Sequence, residues 1–388
     1  MKINQWTRAL LATGVVGIGA VAQAEEAPSS NLLTAVSGTQ ISGYVSTSAA
    51  WAPNSMTPPG GISFMQPTDG FNLDNVDITI SKPLDEGEWS AGYTVELWTG
   101  PAANQLGNNI RGGSLAGNDL AVKQANVKLN APIGNGLVLT MGVFDAIIGY
   151  EVANVGDNPN YTRNYAYSYE PFQHTGILAS YQLCESVSAS VGMANEQATQ
   201  LNSRGGGYTY MAAMTVTAPE ALGPLAGAAI TAGVVDGSAA AGGSTVPGRG
   251  EQMIYVGGSI PTPIENLSLG FAWDHFNIDG AKDNDAIAGY VGYKVSEKMT
   301  LNTRLEYMDQ GAPGLIGGGG GGSQMLGTTL TLGYALWENV LTRAEWRYDK
   351  DLNGDHFSGQ RTAATGAAYP AGSRNNNHLF ALNVVYQF

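Results

Sequence analysis

The stretch "VLTRAEWRYD" (340–349) sorts its residues by parity. Val340, Thr342, Ala344, Trp346 and Tyr348 share one side, and Leu341, Arg343, Glu345, Arg347 and Asp349 share the other. "MTLNTRLEYM" (299–308) repeats the scheme, with Met299, Leu301, Thr303, Leu305 and Tyr307 against Thr300, Asn302, Arg304 and Glu306. "WSAGYTVELW" (89–98) sets Ala91, Tyr93, Val95 and Leu97 against Ser90, Gly92, Thr94 and Glu96. Alternation at period two predicts strands, because a helix of 3.6 residues per turn would scatter these side chains. About sixteen such segments follow one another, each roughly ten residues long. Their cores lie near 40–51, 72–82, 89–98, 120–130, 137–145, 175–183, 187–194, 207–217, 228–235, 252–260, 267–276, 286–295, 299–308, 325–336, 340–349 and 378–388. The tenth and twelfth are weakly patterned, blurred by Gly257, Gly258, Gly289 and Gly292.

The connections alternate in length. Short turns at 83–88, "APIGNG" (131–136), "CES" (184–186), "PTPIEN" (261–266), "SEK" (296–298) and "WEN" (337–339) are separated by long loops, among them the Gly-rich 316–323. Strands of about ten residues with this two-sided rhythm predict an all-β, antiparallel transmembrane barrel, with short periplasmic turns and long extracellular loops. Closure removes the unpaired strand edges that lipid would not tolerate. Trp51, Trp89, Trp98, Tyr334 and Trp337 fall at strand ends, where interface girdles place aromatics. The polar parity then faces inward: Glu96, Lys123, Lys128, Arg304, Glu306, Arg343, Glu345 and Arg347 become candidate pore-lining residues. A charge on the lipid wall costs roughly 2–4 kcal/mol at the midplane, so a wet interior is where they belong. The strand terminating the chain, "LFALNVVYQF", must pair with the first, with Phe380, Leu382, Val384, Tyr386 and Phe388 toward lipid. Only Val385 breaks its alternation.

Composition narrows the classes. Lys2 and Arg8, an apolar run over 9–21 and Ala22-Gln23-Ala24 form a secretory signal, so 1–24 reads as a signal peptide and 25–388 as the barrel. The net charge of −14 becomes two units more negative without that segment, which argues against a nucleic-acid partner. A single cysteine, Cys184, excludes an intramolecular disulfide framework. No G-x-S-x-G, H-E-x-x-H or phosphate-loop motif accompanies the four histidines, which argues against an outer-membrane enzyme. A non-conducting, surface-binding barrel is the remaining alternative to a channel.

The mature chain resembles the OmpL-like outer-membrane β-barrel porins (the β-barrel porin-2 group). The resemblance is carried by 71–98, by "LTMGVFDAIIGYEVANVGDNPNYTRNYAYSYEPFQHTGILASYQL" (139–183), by "RAEWRYDKDLNGDHF" (343–357) and by the ending "NVVYQF". It implies passive diffusion of small hydrophilic solutes across an outer membrane, without catalysis or cofactor. The final Phe388, with Tyr386, resembles the signal read by the barrel assembly machinery. Association of three barrels, a homotrimer, stays open.

Two stretches hold further candidates. The connection from Asp145 to Gln173 contains Tyr150, Tyr161, Tyr165, Tyr167 and Tyr169 with Glu151, Arg163 and Glu170. We expect it to fold into the lumen as a constriction, Arg163 facing Glu151 or Glu170 across a transverse field; an outward loop packed on the rim is the alternative. "DKDLNGDHF" (349–357) matches the first half of a calcium loop through Asp349, Asp351, Asn353 and Asp355. Gln360 stands where a bidentate Glu belongs, so a structural calcium competes with a plain acidic turn.

Overall fold

The computed structural model describes residues 38–53, 70–85, 89–106, 120–195, 201, 207–238, 250–280, 282–311, 322–353 and 375–388. The signal segment 1–24 and Asp355 lie outside them. Sixteen strands close into one antiparallel barrel: β1 (Gln40–Trp51), β2 (Gly70–Lys82), β3 (Ser90–Thr99), β4 (Leu120–Ala131), β5 (Leu137–Asp145), β6 (Gln173–Cys184), β7 (Val187–Ala194), β8 (Thr209–Thr217), β9 (Ala229–Ser238), β10 (Gly250–Pro261), β11 (Leu267–Ile278), β12 (Asn284–Lys294), β13 (Met299–Gln310), β14 (Ser323–Trp337), β15 (Val340–Asp351) and β16 (Asn376–Gln387). Each strand pairs with its neighbours in sequence, and β16 closes on β1 from Tyr44↔Gln387 to Trp51↔Phe380. The last residue is tied in as well, since Gly43 and Phe388 exchange backbone hydrogen bonds of 2.9 and 3.0 Å. A short helix, α1 (Pro101–Leu106), follows β3, and among the described residues no helix is long and apolar enough to cross a membrane.

The outer face follows the sequence parity. Leu301, Leu305, Leu326, Leu330, Leu332, Phe380, Leu382 and Val384 are all exposed. The register carries the outward parity to Asp236, Asp285, Asp309 and Lys350 at the long-loop ends of their strands. The strand middles therefore present an uncharged band. Tight turns close the opposite end, and Asn266 (φ 66°) and Asn339 (φ 62°) supply left-handed backbone there. Trp51, Trp89, Tyr334 and Trp337 are exposed at strand ends, as a girdle requires. Trp98 differs. It points inward and is fully buried, its indole N–H bonded to Asp77 and Glu96.

A bulge explains an oddity of β4. Lys123 and Lys128 have opposite parity yet both project inward, because the register shifts between Glu96↔Gln124 and Leu97↔Val122, leaving Lys123 as the extra residue. The interior is less wet than the sequence suggests. One buried apolar cluster includes Phe144, Ile147, Ile148, Tyr165, Tyr169, Met211, Val235, Met253, Phe276, Met308 and Met325. A second includes Tyr44, Trp98, Val155, Tyr161, Tyr167, Leu379 and Val385. The break at Val385 is thus an inward residue with an apolar partner. Replacing outward Leu330 by Arg should destabilise the barrel by about 2–4 kcal/mol in denaturant titrations in lipid vesicles, the depth-dependent cost of a charge facing hydrocarbon.

Candidate functional site: the loop-filled lumen

The segment 146–172, between β5 and β6, contributes Tyr165 and Tyr169 to the first cluster and Tyr161 and Tyr167 to the second. Ala146 N–H donates to Phe172 O (3.3 Å), closing a neck at the long-loop end, and the chain then turns into the barrel. Tyr150 stacks on Tyr290 of β12 with ring centroids 4.1 Å apart. Its hydroxyl lies over Gly270, where any Cβ would collide with it. At the apex Arg163 folds back on its own loop, donating to the carbonyls of Val152 (3.0 Å), Ala153 (3.1 Å) and Tyr161 (3.0 Å). Asn158 ties the same turn by exchanging hydrogen bonds with the Val152 backbone, both 2.8 Å.

From the apex, residues 160–165 climb the inner face of β13–β15 in register with its charges. Arg343 donates to Val155 O (2.6 Å). Glu345 accepts Tyr161 N–H (2.6 Å), Thr162 N–H (2.9 Å) and the Thr162 hydroxyl (2.6 Å). Arg304 donates to Thr162 O (2.7 Å) and Arg163 O (3.0 Å), and Arg347 to Arg163 O (2.6 Å). Glu306 accepts Tyr165 N–H (2.6 Å), and Asp349 accepts the Tyr165 hydroxyl (2.7 Å). Carboxylates on the wall take loop N–H groups, while guanidinium groups take loop carbonyls. Arg304 also pairs with Glu151 (2.7 Å) and Glu306 (3.0 Å), and Arg347 with Glu306 (3.1 Å) and Asp349 (2.8 Å). Charged hydrogen bonds of this kind are the strong ones, and here both partners leave water together. Across the seam Asp74 accepts Ser46 (2.8 Å), Ser48 (2.7 Å), the Tyr161 hydroxyl (2.9 Å) and Asn383 (3.2 Å).

The facing wall is built differently. On β2–β5, Trp98 bridges Asp77 (2.8 Å) and Glu96 (3.0 Å), Gln124 donates to Glu96 (2.7 Å), and Lys123 pairs with Asp145 beside the Trp98 ring. Gln124, Lys128, Asp145 and Ser180 remain half-buried. Water reaches the inner surface here, opposite the packed loop.

The structure therefore brings all eight wall charges to the inner face, but Arg304, Glu306, Arg343, Glu345 and Arg347 are buried beneath the loop, as are Glu96 and Lys123 within their own cluster. Of the eight, Lys128 alone keeps partial exposure. The inward fold of 146–172 holds; the transverse pair does not. Arg163 is fully buried and bound to backbone carbonyls, Glu151 pairs with Arg304, and Glu170 is buried near Asp274. The calcium-loop geometry is also absent from the described part of its motif. Asp349 and Asp351 lie on extended β15, Asp349 is taken by Arg347 and Tyr165, and Asn353 spends its side chain on Gln324 N–H and Gly322 O. Tyr386 and Phe388 are exposed on the outer face beside the seam. Asp74, Asp77, Asp157 and Asp274 were not singled out by the sequence pattern. Asp74 sits in a bulge, where the register shifts between Ser46 and Thr47 and no parity rule applies.

Replacing Arg304 by Met should cost about 3–5 kcal/mol and free the loop, because Glu151 would lose its buried cation and Glu306 would be left with Arg347 alone. Denaturant titration together with protease cleavage inside 146–172 reads both effects.

The chain matches, over residues 38–388, the family described as "Putative beta-barrel porin-2, OmpL-like". No curated protein sequence matches it. Among solved structures it is similar to an anion-selective porin from Comamonas acidovorans, at 14% identity and a TM-score of 0.56, over 90% of this chain and 99% of that one. Salmonella typhi OmpF in complex with daunomycin is similar at 11% identity and 0.56, over 90% and 97%. A trimer form of OmpT, an outer membrane protein of Vibrio cholerae, is similar at 13% and 0.54, over 90% and 99%. At these identities the likeness concerns the fold. With the family match across the whole closed barrel, the chain belongs to the OmpL-like β-barrel porin-2 family and is a porin-like channel of the outer membrane.

Proposed function

We propose that the protein is a passive diffusion channel for small hydrophilic solutes and ions, working without catalysis or a bound cofactor. The observation that carries this reading is the division of the lumen. The segment 146–172 is packed on β11–β16, while Gln124, Lys128, Asp145 and Ser180 keep a polar, water-accessible surface on the opposite wall. A barrel of this strand number is wide enough for an aqueous path beside a packed loop. In this reading the tight turns face the periplasm, and the segment 1–24 directs export. Tyr386 and Phe388 address the finished strand to the assembly machinery, and three barrels associate as in the trimer form of the Vibrio cholerae relative.

Ion preference follows from what still faces water. Asp157, at the loop apex, is exposed. The protein crowded around it and repulsion from Glu96 raise its pKa to about 6, against the opposing pull of an Asn154 hydrogen bond, Arg343 and Arg163. Above that pH the apex carries a negative charge in the water path; below it the charge is lost. Reversal potentials in a salt gradient should show cation preference rising as pH increases through about 6. The Asp157→Asn variant should flatten that rise. Channels with an unchanged pH profile in the variant would remove Asp157 from the selectivity site. Absence of channels altogether would favour the surface-binding barrel.

A further inference from the structure

Glu170 and Asp274 form a buried acidic contact that the channel reading does not use. Glu170 closes the returning limb of the loop, just after the short 3-10 turn Ala166–Ser168, and Asp274 projects inward from β11. Glu170 is 6% and Asp274 1% exposed. Their carboxyl groups lie within hydrogen-bonding reach of one another, yet Glu170 Oε1 and Asp274 Oδ1 meet no donor among the described residues. Around them stand Tyr169, stacked on Phe276 at 5.5 Å, and Tyr255 of β10, with Glu151 the next carboxylate. Arg304, the ion-pair partner of the neighbouring Glu151, is engaged by Glu151 and Glu306. Two carboxylates cannot both stay ionised in such a place, because burial keeps bulk solvent away and no cation among the described residues forms an ion pair with either.

We infer that Glu170 and Asp274 share one proton and that this proton latches the returning limb of loop 146–172 to β11, so that the loop loosens when the proton is lost. Glu170 is the donor and Asp274 the acceptor. Burial holds the Glu170 carboxyl well above its ordinary range, and repulsion from Asp274 and Glu151 adds to the effect. The sign follows from linkage. A released Glu170, facing water, would lose its proton near the ordinary carboxylate pKa, whereas the latched one keeps it. The latched state therefore weakens as pH rises between those two values, by up to about tenfold per pH unit for one proton. Acid strengthens the latch and alkali undoes it. Glu151, Tyr169 and Tyr255 also face the pair, and none of them supplies a positive charge that would hold the limb after deprotonation.

The inference rests on the channel reading, and single-channel recording separates the two. At neutral pH the wild type, Glu170→Gln and Asp274→Asn should form channels of the same conductance, since an amide can donate the latching hydrogen bond or accept it from protonated Glu170. Raising the pH should increase open-level fluctuation in the wild type, by up to about tenfold per pH unit in the ratio of loose to latched dwell times. Glu170→Gln, whose donor cannot ionise, should stay quiet throughout. Channels that form normally but fluctuate equally in wild type and Glu170→Gln would overturn the latch and leave the channel intact. Fluctuation governed by added calcium or sodium at fixed pH would also overturn it, because a metal ion, and not a proton, would then join the pair.

Discussion

A peptide segment packed inside a barrel must place every N–H and C=O, because those left dry without a partner cost free energy comparable to a lost hydrogen bond. Residues 160–165 run along the wall without forming a strand of their own, so no ladder supplies those partners. The wall does. Glu345 and Glu306 receive the N–H groups of Tyr161, Thr162 and Tyr165, while Arg343, Arg304 and Arg347 donate to the carbonyls of Val155, Thr162 and Arg163. The alternation of acid and base along β13 and β15 thus matches the alternation of donors and acceptors along a peptide. Arg304, Glu306, Arg347 and Asp349 also pair with one another, and Glu151 of the loop pairs with Arg304, so these charges remain compensated. Breaking one member would strand several groups at once.

This arrangement explains which parts of the molecule could be read in the sequence. Strands were legible because lipid enforces period two on one side of every strand, and a 387-to-44 seam follows once the ends must meet. The inner side obeys a different constraint. Val385 and Leu379 point inward because the loop supplies apolar partners, and Met253, Met308 and Met325 do likewise near the long-loop end. Bulges shift parity at Lys123 and Asp74, and no local signal marks either. The inward course of 146–172 was visible as a length and an aromatic content. The partner of each charge was not, because Arg163 could choose between carboxylates and its own backbone. It donates to the carbonyls of Val152, Ala153, Asn154 and Tyr161, a choice that no parity rule encodes. In the calcium-like spacing at 349–355, Asp349 and Asp351 belong to an extended strand, while Asp355 lies outside the described residues.

The functional consequence is a lumen with two unlike sides. One wall is a dry receptor for the loop; the other, along β4–β6, keeps polar groups in contact with water. In the proposed diffusion channel, solute preference would depend less on the many charges inside the barrel than on the few that keep contact with water, Asp157 and Lys128 among them. The strongly negative composition is no guide to this balance, since paired charges cancel where they stand. Near the loop's return, the Glu170–Asp274 contact adds an attachment of a different kind, one that lacks a fixed cation.

Accessibility of single cysteines from the pore, in a background where Cys184 is replaced by Ser, tests the division most directly. With a small water-soluble thiol reagent, cysteines placed at Lys128 and Ser180 should react and reduce conductance. Cysteines placed at Thr329 and Thr331, inward but fully covered by the loop, should stay unmodified. Rapid reaction at Thr329 and Thr331 would contradict the account, because the charged wall of β13–β15 would then line the water path and not the loop.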